Sequence, residues 1–277
     1  MSYKRILTIQ DISCVGQCSS AVALPILSVC GFETAVLPCS LLSNHTTGFQ
    51  QYSFRDLSAD MNEICHQWQQ QNIKFSAMYT GYIGNISQLK NVEKVMQTCL
   101  EQDAVKIIDP AMADDGQLYP GFDQSFVDEV KVYISNADYL LPNLTEACLL
   151  TDTPYQKQYD EKFIKLLLEK LSCMGCRNIV LTGVSYSEDA IGVAVYESGK
   201  YSYHCHEKVE RSSPGTGDVF ASVFTGAVLK GYTAYESACM ASHFVVECLK
   251  ETVKYPLHTY GPVFEPLLAE LIKLLNN

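Results

Sequence analysis

Short apolar runs recur along this chain, and most are followed by a stretch long enough for a helix before the next run begins. Runs this short and this continuous read as strands buried on both faces. The first is Arg5-Ile6-Leu7-Thr8-Ile9-Gln10. A polar loop from Asp11 to Gln17 follows, then a helix from about Cys18 to Cys30. The small residues Ser19, Ser20, Ala21 and Ala23 would let that helix pack closely. Gly31 closes it, and Thr34-Ala35-Val36-Leu37-Pro38 is the second strand of a βαβ unit.

The rhythm continues with a helix over Asp56 to Gln71, a strand over Phe75 to Tyr79 and a helix over Ile86 to Leu100. Strands follow at Ala104 to Ile108, ending in Asp109-Pro110, and at Ala137 to Leu141, ending in Pro142-Asn143. A helix over Glu161 to Leu171 leads to the strand Asn178 to Gly183. Ala190 to Tyr196 and Tyr201 to His206 then alternate about Glu197-Ser198-Gly199-Lys200, the pattern of a β-hairpin at the far side of the sheet. The chain ends in helices over Thr216 to Lys230 and Ala234 to Glu251 and a tail over Phe264 to Leu275. No repeat, low-complexity tract or linker interrupts residues 1–277, which we read as one domain. The expected fold is α/β: three α/β/α layers about a central, mostly parallel sheet with a small antiparallel edge hairpin.

Composition narrows the partners. Lys plus Arg is 20 against 31 Asp plus Glu, a formal charge of −11, which repels a nucleic-acid backbone. No apolar stretch approaches the ~20 residues of a membrane span, so no membrane partner is expected. The start Met1-Ser2-Tyr3-Lys4-Arg5 runs straight into a strand without a signal-type apolar segment, and the expectation is a cytoplasmic protein. The 12 cysteines are then reduced and mostly buried thiols. Cys173 and Cys176 form a C-x-x-C, but no second pair at zinc-site spacing accompanies it.

Polar residues stand just beyond the strand ends: Gln10-Asp11, Ser43-Asn44-His45-Thr46, Asp109, Asn143 and Thr182-Gly183. Ligands of an open α/β sheet bind there. The sharpest motif is Pro214-Gly215-Thr216-Gly217-Asp218 at the start of a helix. Its glycines leave backbone N–H groups open for an anion, and the helix N-terminus adds a favourable dipole. Asp218 in the first turn could accept a hydroxyl proton during attack on phosphorus. Thr216 or Asp218 would equally serve as a plain helix cap. Asn143 with Glu146 fits a capping box, Asp109 before Pro110 a turn, His45 a loop and Tyr82 surface packing. Neither G-x-x-x-x-G-K-[ST] nor a G-x-G-x-x-G after a strand occurs, so a P-loop ATPase and a dinucleotide enzyme have no motif support.

In order along the chain, Ile6-Leu7-Thr8-Ile9-Gln10, Ser43-Asn44-His45-Thr46, Thr80-Gly81-Tyr82-Ile83-Gly84, Ile108-Asp109-Pro110, Pro142-Asn143 with Glu146, Leu181-Thr182-Gly183 and Gly215-Thr216-Gly217-Asp218 resemble the ribokinase-like superfamily. The similarity is greatest to its pyridoxal/pyridoxamine kinase branch. The resemblance implies phosphoryl transfer from ATP to the 5'-hydroxymethyl group of a B6 vitamer, with Mg²⁺ and K⁺. It implies that Asp218 is the base and that Gly215, Thr216 and Gly217 form the anion hole. By the same resemblance Asp109 and Glu146 serve the metal, while Asn143, Thr182 and Gly183 lie along the nucleotide with Asp109, Gly215 and Gly217. Gln10, Asp11, Ser43, His45, Thr46 and Tyr82 would line the acceptor pocket. A homodimer is also implied.

Asp11 departs from the pattern, which often has Ser there; a carboxylate would favour a cationic amine such as pyridoxamine. The stretch Met112 to Tyr119 resembles the flexible lid but is short and lacks a cysteine. A related branch phosphorylates hydroxymethylpyrimidine with the same base and metal, and Ser43-Asn44-His45-Thr46 is the reason to prefer B6 over it. A ligand-binding module without catalysis is the remaining alternative, and it would have no need of Asp218.

Overall fold

The structure is a computed structural model that describes residues 4–276. Met1 to Tyr3, the opening of the stretch on which the cytoplasmic expectation rests, lie outside the described residues, as does Asn277. The strands are β1 (Arg5–Ser13), β2 (Glu33–Leu42), β3 (Phe54–Asp56), β4 (Phe75–Thr80), β5 (Leu100–Ile108), β6 (Ala113–Asp114), β7 (Gln117–Leu118), β8 (Tyr139–Leu140), β9 (Asn178–Ser187), β10 (Ala190–Glu197) and β11 (Lys200–Glu207). The helices are α1 (Ser20–Val29), α2 (Ser58–Gln70), α3 (Ile86–Thr98), α4 (Gln124–Tyr133), α5 (Leu144–Leu150), α6 (Glu161–Cys173), α7 (Thr216–Lys230), α8 (Ala234–Val253) and α9 (Leu268–Leu274).

Nine strands form one sheet in the order β11-β10-β9-β8-β5-β4-β1-β2-β3. The run from β2 to β9 is parallel throughout, whereas β3, β10 and β11 are antiparallel additions at the two edges. Side chains alternate across β1: Leu7 and Ile9 enter one core with Val92 and Leu167, and Ile6 enters the other with Val22 and Phe224. Helices therefore cover both faces, the three-layer arrangement expected of continuous apolar strands. No described helix is long and apolar enough to cross a membrane.

Some elements differ from expectation. Leu100 opens β5 instead of ending α3, and Asp56 ends the edge strand β3 instead of opening α2. The short ribbon β6–β7 and helix α4 were not expected, although α4 carries a legible start: the Asp123 side chain accepts from the Phe126 N–H at 3.2 Å. Its apolar residues Phe126, Val127, Val130 and Tyr133 keep helical spacing and are buried. Pro38 pairs with Gln10 at the edge of a register shift between β1 and β2, the kind of irregularity at which a strand accommodates a residue without an N–H. Helix α1 packs on the sheet at β1 and β2, as expected, and lies close to α7 as well, where a Cβ on Gly226 would come 2.3 Å from Cys30 Sγ.

Strand order reverses at β1, which is followed in sequence by β2 on one side and joined by β4 on the other. Ligands gather outside the carboxyl ends of strands at such a point. Asp11 and Ser13 of β1, and Gly81 and Tyr82 after β4, stand there.

Candidate active site

The glycines of the loop before α7 are unequal. Gly215 has φ 82°, and a Cβ there would lie 2.1 Å from the Gln17 carbonyl oxygen, so neither its conformation nor its space admits a side chain. Nothing lies within 4 Å of the corresponding point on Gly217. Gly215 is itself the N-cap residue of α7, and no side chain caps the helix. The Thr216 hydroxyl donates to the Ser213 carbonyl at 3.3 Å. A plain cap is therefore not what Thr216 and Asp218 form, and the first N–H groups of α7 are left for an anion.

Asp218 lies in that first turn and accepts the backbone N–H of Ser19. Burial pushes its carboxyl up to about 7; the Ser19 N–H opposes the shift and the negative Asp11 adds to it. Ser19 holds an unusual backbone conformation, φ 49° and ψ −131°, immediately before α1.

Beyond Asp218 stand Asp109 after β5 and Glu146 in α5. Burial raises the Asp109 carboxyl well above the usual range, and the charges of Glu146 and Asp218 add to this. Glu146 is 2% exposed. Burial pushes it up to about 7 against the N–H groups of Asn143, Met112 and Ala113. No Lys or Arg is among the groups that shift these three carboxyls. Uncompensated carboxylates of this kind suit a divalent cation. Mg²⁺ takes one or two carboxylates and completes its octahedron with water and phosphate oxygens. Asp109 and Glu146 fit that demand, and among the described residues no three His, Cys, Asp or Glu converge as a full chelate. Both Glu146 oxygens already accept backbone N–H groups, from Met112 at 3.0 Å and Asn143 at 2.8 Å, so it would act on a metal chiefly through water.

On the acceptor side Asp11 is 5% exposed. The Ser13 hydroxyl donates to it at 3.1 Å, the Ser19 side chain bonds to it, and His45 faces it. Burial nevertheless raises its carboxyl. Tyr82 is close enough to feel Asp11; burial is the main reason its phenol is pushed up to about 12. Its ring centroid lies 5.7 Å from that of Phe122, which stacks on Phe126 at 4.1 Å. The Ser43 hydroxyl receives the Ser53 N–H at 2.9 Å and donates to Asn44 at 2.8 Å, which shapes the loop that carries His45 and the exposed Thr46.

Gln10 ends the straight part of the β1 ladder, just before its register shift. It is fully buried, its amide nitrogen donates to the Thr8 hydroxyl at 2.7 Å, and its Oε1 fills the space beside Gly81, where a Cβ would come within 2.4 Å. It stands at the switch point between the ends of β1 and β4. Thr182 joins Asn143 through a parallel bridge, its N–H donating to the Pro142 carbonyl at 2.9 Å. Gly183 (φ 72°) leaves open space.

Asp218, Asp11, His45, Tyr82, Asp109 and Glu146 thus form one connected electrostatic group. Two members were not foreseen. Ser19 touches both Asp11 and Asp218. Tyr119, just after β7, has its phenol raised by burial and by Glu146, Asp114, Asp109 and Asp218. Only its place in the short lid-like stretch marked Tyr119 in advance.

A family model described as Phosphomethylpyrimidine kinase matches residues 29–264. A Bacteroides thetaiotaomicron protein provisionally called a phosphomethylpyrimidine kinase is 32% identical, with 98% of this chain and 94% of that one covered and a TM-score of 0.94. Its second crystal form, with pyridoxal, gives 31% identity, 100% and 96% coverage and a TM-score of 0.91. Pyridoxal kinase from Lactobacillus plantarum is 31% identical over 99% of this chain and 98% of its own, with a TM-score of 0.91. A Dictyostelium discoideum pyridoxal kinase is 24% identical over 251 residues, 85% of this chain and 82% of that protein. The chain belongs to the phosphomethylpyrimidine kinase family, within the ribokinase-like superfamily, and is related to pyridoxal kinases as well.

Proposed function

Within this family of ATP-dependent small-molecule kinases, we propose that the chain transfers the γ-phosphoryl group of ATP to the hydroxymethyl group of an aromatic nitrogen heterocycle, with Asp218 as general base. One observation carries the reading: a carboxylate raised to about 7 stands in the first turn of α7, beside the side-chain-free Gly215. A base of that strength is matched to proton transfer near neutral pH. The acceptor hydroxyl gives its proton to Asp218 as its oxygen bonds to phosphorus. The bond between phosphorus and the β–γ bridging oxygen breaks, and ADP leaves with that electron pair. N–H groups of Gly215, Thr216 and Gly217 stabilise the charge on the transferring group. Magnesium, when bound, would neutralise the phosphate oxygens. Asp109 and, through water, Glu146 would hold it, with Asn143, Thr182 and Gly183 along the nucleotide. A monovalent cation such as K⁺ is part of the same proposal.

Two acceptors share this chemistry. At the family level the weight lies with the alternative, hydroxymethylpyrimidine or its phosphate: the description that matches residues 29–264 and the provisional name of the Bacteroides protein both read phosphomethylpyrimidine kinase. A B6 vitamer, the acceptor suggested by Ser43-Asn44-His45-Thr46, is supported by pyridoxal in that protein's second crystal form and by the Lactobacillus plantarum enzyme. A coupled ADP-release assay with Mg-ATP and K⁺ decides between them. Pyridoxal, pyridoxamine, pyridoxine and hydroxymethylpyrimidine are compared at equal concentration, with Asp218→Ala alongside. The dominant acceptor names the branch; binding without turnover of any of the four would favour a non-catalytic module. The expected homodimer is carried as a proposal too, checked by light scattering.

A further inference from the structure

The segment from His258 to Glu265 crosses the outside of the site and touches three of its walls. Gln17, in the loop between β1 and α1, lies at the centre of these contacts. Its backbone N–H donates to the Tyr260 carbonyl at 3.0 Å, and its side-chain amide donates to Glu265 Oε1 at 2.7 Å. Its Oε1 bonds to His258 Nε2. On the opposite side the Gln17 carbonyl is the atom that a Cβ on Gly215 would strike at 2.1 Å. Gly261, with φ 146°, lets the segment come equally close: a Cβ there would lie 2.4 Å from Gln17 Cβ. The same segment reaches the other two walls. Arg211, just before the anion loop, donates to the Thr252 and His258 carbonyls. Phe49, on the loop of His45 and Thr46, packs its ring 5.1 Å from that of Tyr260.

We propose that Gln17 is a positioning residue: held between His258 and Glu265, it presses its carbonyl against Gly215 and so sets the anion loop in register with the acceptor loop. The proposal rests on the kinase reading above for its consequence, but the contacts do not depend on which acceptor is used. An N–H donor acts on a transferring phosphoryl group only where it is aimed in advance, and a displacement of about 1 Å can cost on the order of 100-fold in rate. Gly215 has no side chain of its own to fix it, so its place is dictated from outside.

The full-length chain is tested as Gln17→Ala, Glu265→Ala and Glu265→Gln. Glu265 is exposed and belongs to no part of the catalytic machinery. The Gln variant at 265 keeps an oxygen for the Gln17 amide. Each variant is assayed at a temperature where circular dichroism shows it folded. Gln17→Ala and Glu265→Ala should lower kcat roughly 10- to 100-fold, with the KM of the acceptor changed far less. Glu265→Gln should stay within about 2-fold of the parent chain. Hydrogen exchange of the 214–218 amides, measured without any ligand, should rise in both Ala variants and not in Glu265→Gln. Should Gln17→Ala fail to fold, the Glu265 pair carries the test alone. Unchanged kcat in the folded Ala variants overturns the proposal. So does a fall in kcat with unchanged exchange, and so does an equal loss in Glu265→Ala and Glu265→Gln. A parent chain inactive on every acceptor would defeat the kinase reading, while the exchange comparison would still judge the contact.

Discussion

Asn143 and Glu146 hold each other from both ends of one helical turn: the Asn143 side chain accepts the Glu146 N–H at 2.9 Å, and Glu146 accepts the Asn143 N–H at 2.8 Å. The Asn143 amide also donates to the Ala113 carbonyl of the β6–β7 ribbon at 2.7 Å. The pair is therefore a helix cap and a tether for the ribbon at once, and it fixes the carboxylate proposed to serve the metal. Asn143→Ala should cost about 1 kcal/mol as a lost cap. For a chain of this size that is about 2–4 °C in Tm. The Mg²⁺ concentration for half-maximal activity should rise as well, because Glu146 loses the neighbour that orients it. A thermal melt and a Mg²⁺ titration of the rate check the two effects separately.

Asp218→Asn should lower kcat by roughly 10²- to 10⁴-fold, the range for a general base. In the parent chain kcat/KM should fall on the acid side with an apparent pKa near 7, the value to which burial pushes Asp218. Stability follows with the opposite sense. Between about pH 4 and pH 7 the folded carboxyl keeps a proton that the unfolded chain has released, so this group's contribution is lost as pH rises. Asp218→Asn should therefore be more stable than the parent at pH 8 and gain little at pH 4; melts at the two pH values test this.

The two glycines of the anion loop should respond differently to a methyl group. Gly215→Ala meets the Gln17 carbonyl and a left-handed φ at the same time, and should lower stability by about 1–3 kcal/mol or prevent folding. Gly217→Ala enters open space and should stay within about 0.5 kcal/mol of the parent. Equal losses in denaturant midpoint would contradict the geometry.

Asp11 offers a buried negative charge beside Tyr82 and His45. If it selects a cationic acceptor, Asp11→Ser should lower the kcat/KM ratio of pyridoxamine to pyridoxal. An unchanged ratio would leave Asp11 a structural partner of Ser13 and Ser19.

All twelve cysteines are free, and three of them, Cys14, Cys173 and Cys205, are exposed. A thiol reagent should titrate those three quickly in the native protein, the half-buried Cys239 more slowly, and the eight buried ones only on unfolding. Burial raises the buried thiols well above their ordinary range, which slows them further. Fewer than twelve thiols after denaturation without reductant would reveal a disulfide.

Much of the architecture was legible in local pattern. The strands of the parallel run, the β10–β11 hairpin and the start of α7 at Thr216 lie within a few residues of their expected places, because continuous apolar runs, the Ser198-Gly199 turn and a glycine-rich helix start are all short-range signals. β3 and the β6–β7 ribbon were not legible. β3 is three residues long and owes its pairing to the distant β2, whereas β6 and β7, two residues each, pair with each other across Asp115-Gly116, a short-range turn signal that strands so short left without flanking pattern.

Residue chemistry set out along the chain determined which groups could act: the carboxylates at 11, 109, 146 and 218, and the glycines at 215 and 217, stand at strand ends and a helix start whatever their distant neighbours. Which of them act together was decided only in three dimensions. Gln10 belongs to the same kind of strand-end pair as Asp11, yet its amide is taken by Thr8 beside Gly81, while the charge of Asp11 acts on Asp218. Ser19, Tyr119 and Gln17 carry no motif, and they enter the site through partners as far apart in sequence as residues 218, 146 and 265. Local pattern reports backbone conformation and burial over a few residues; a raised carboxyl or a clamped loop arises from groups that meet only after the sheet has closed around its switch point.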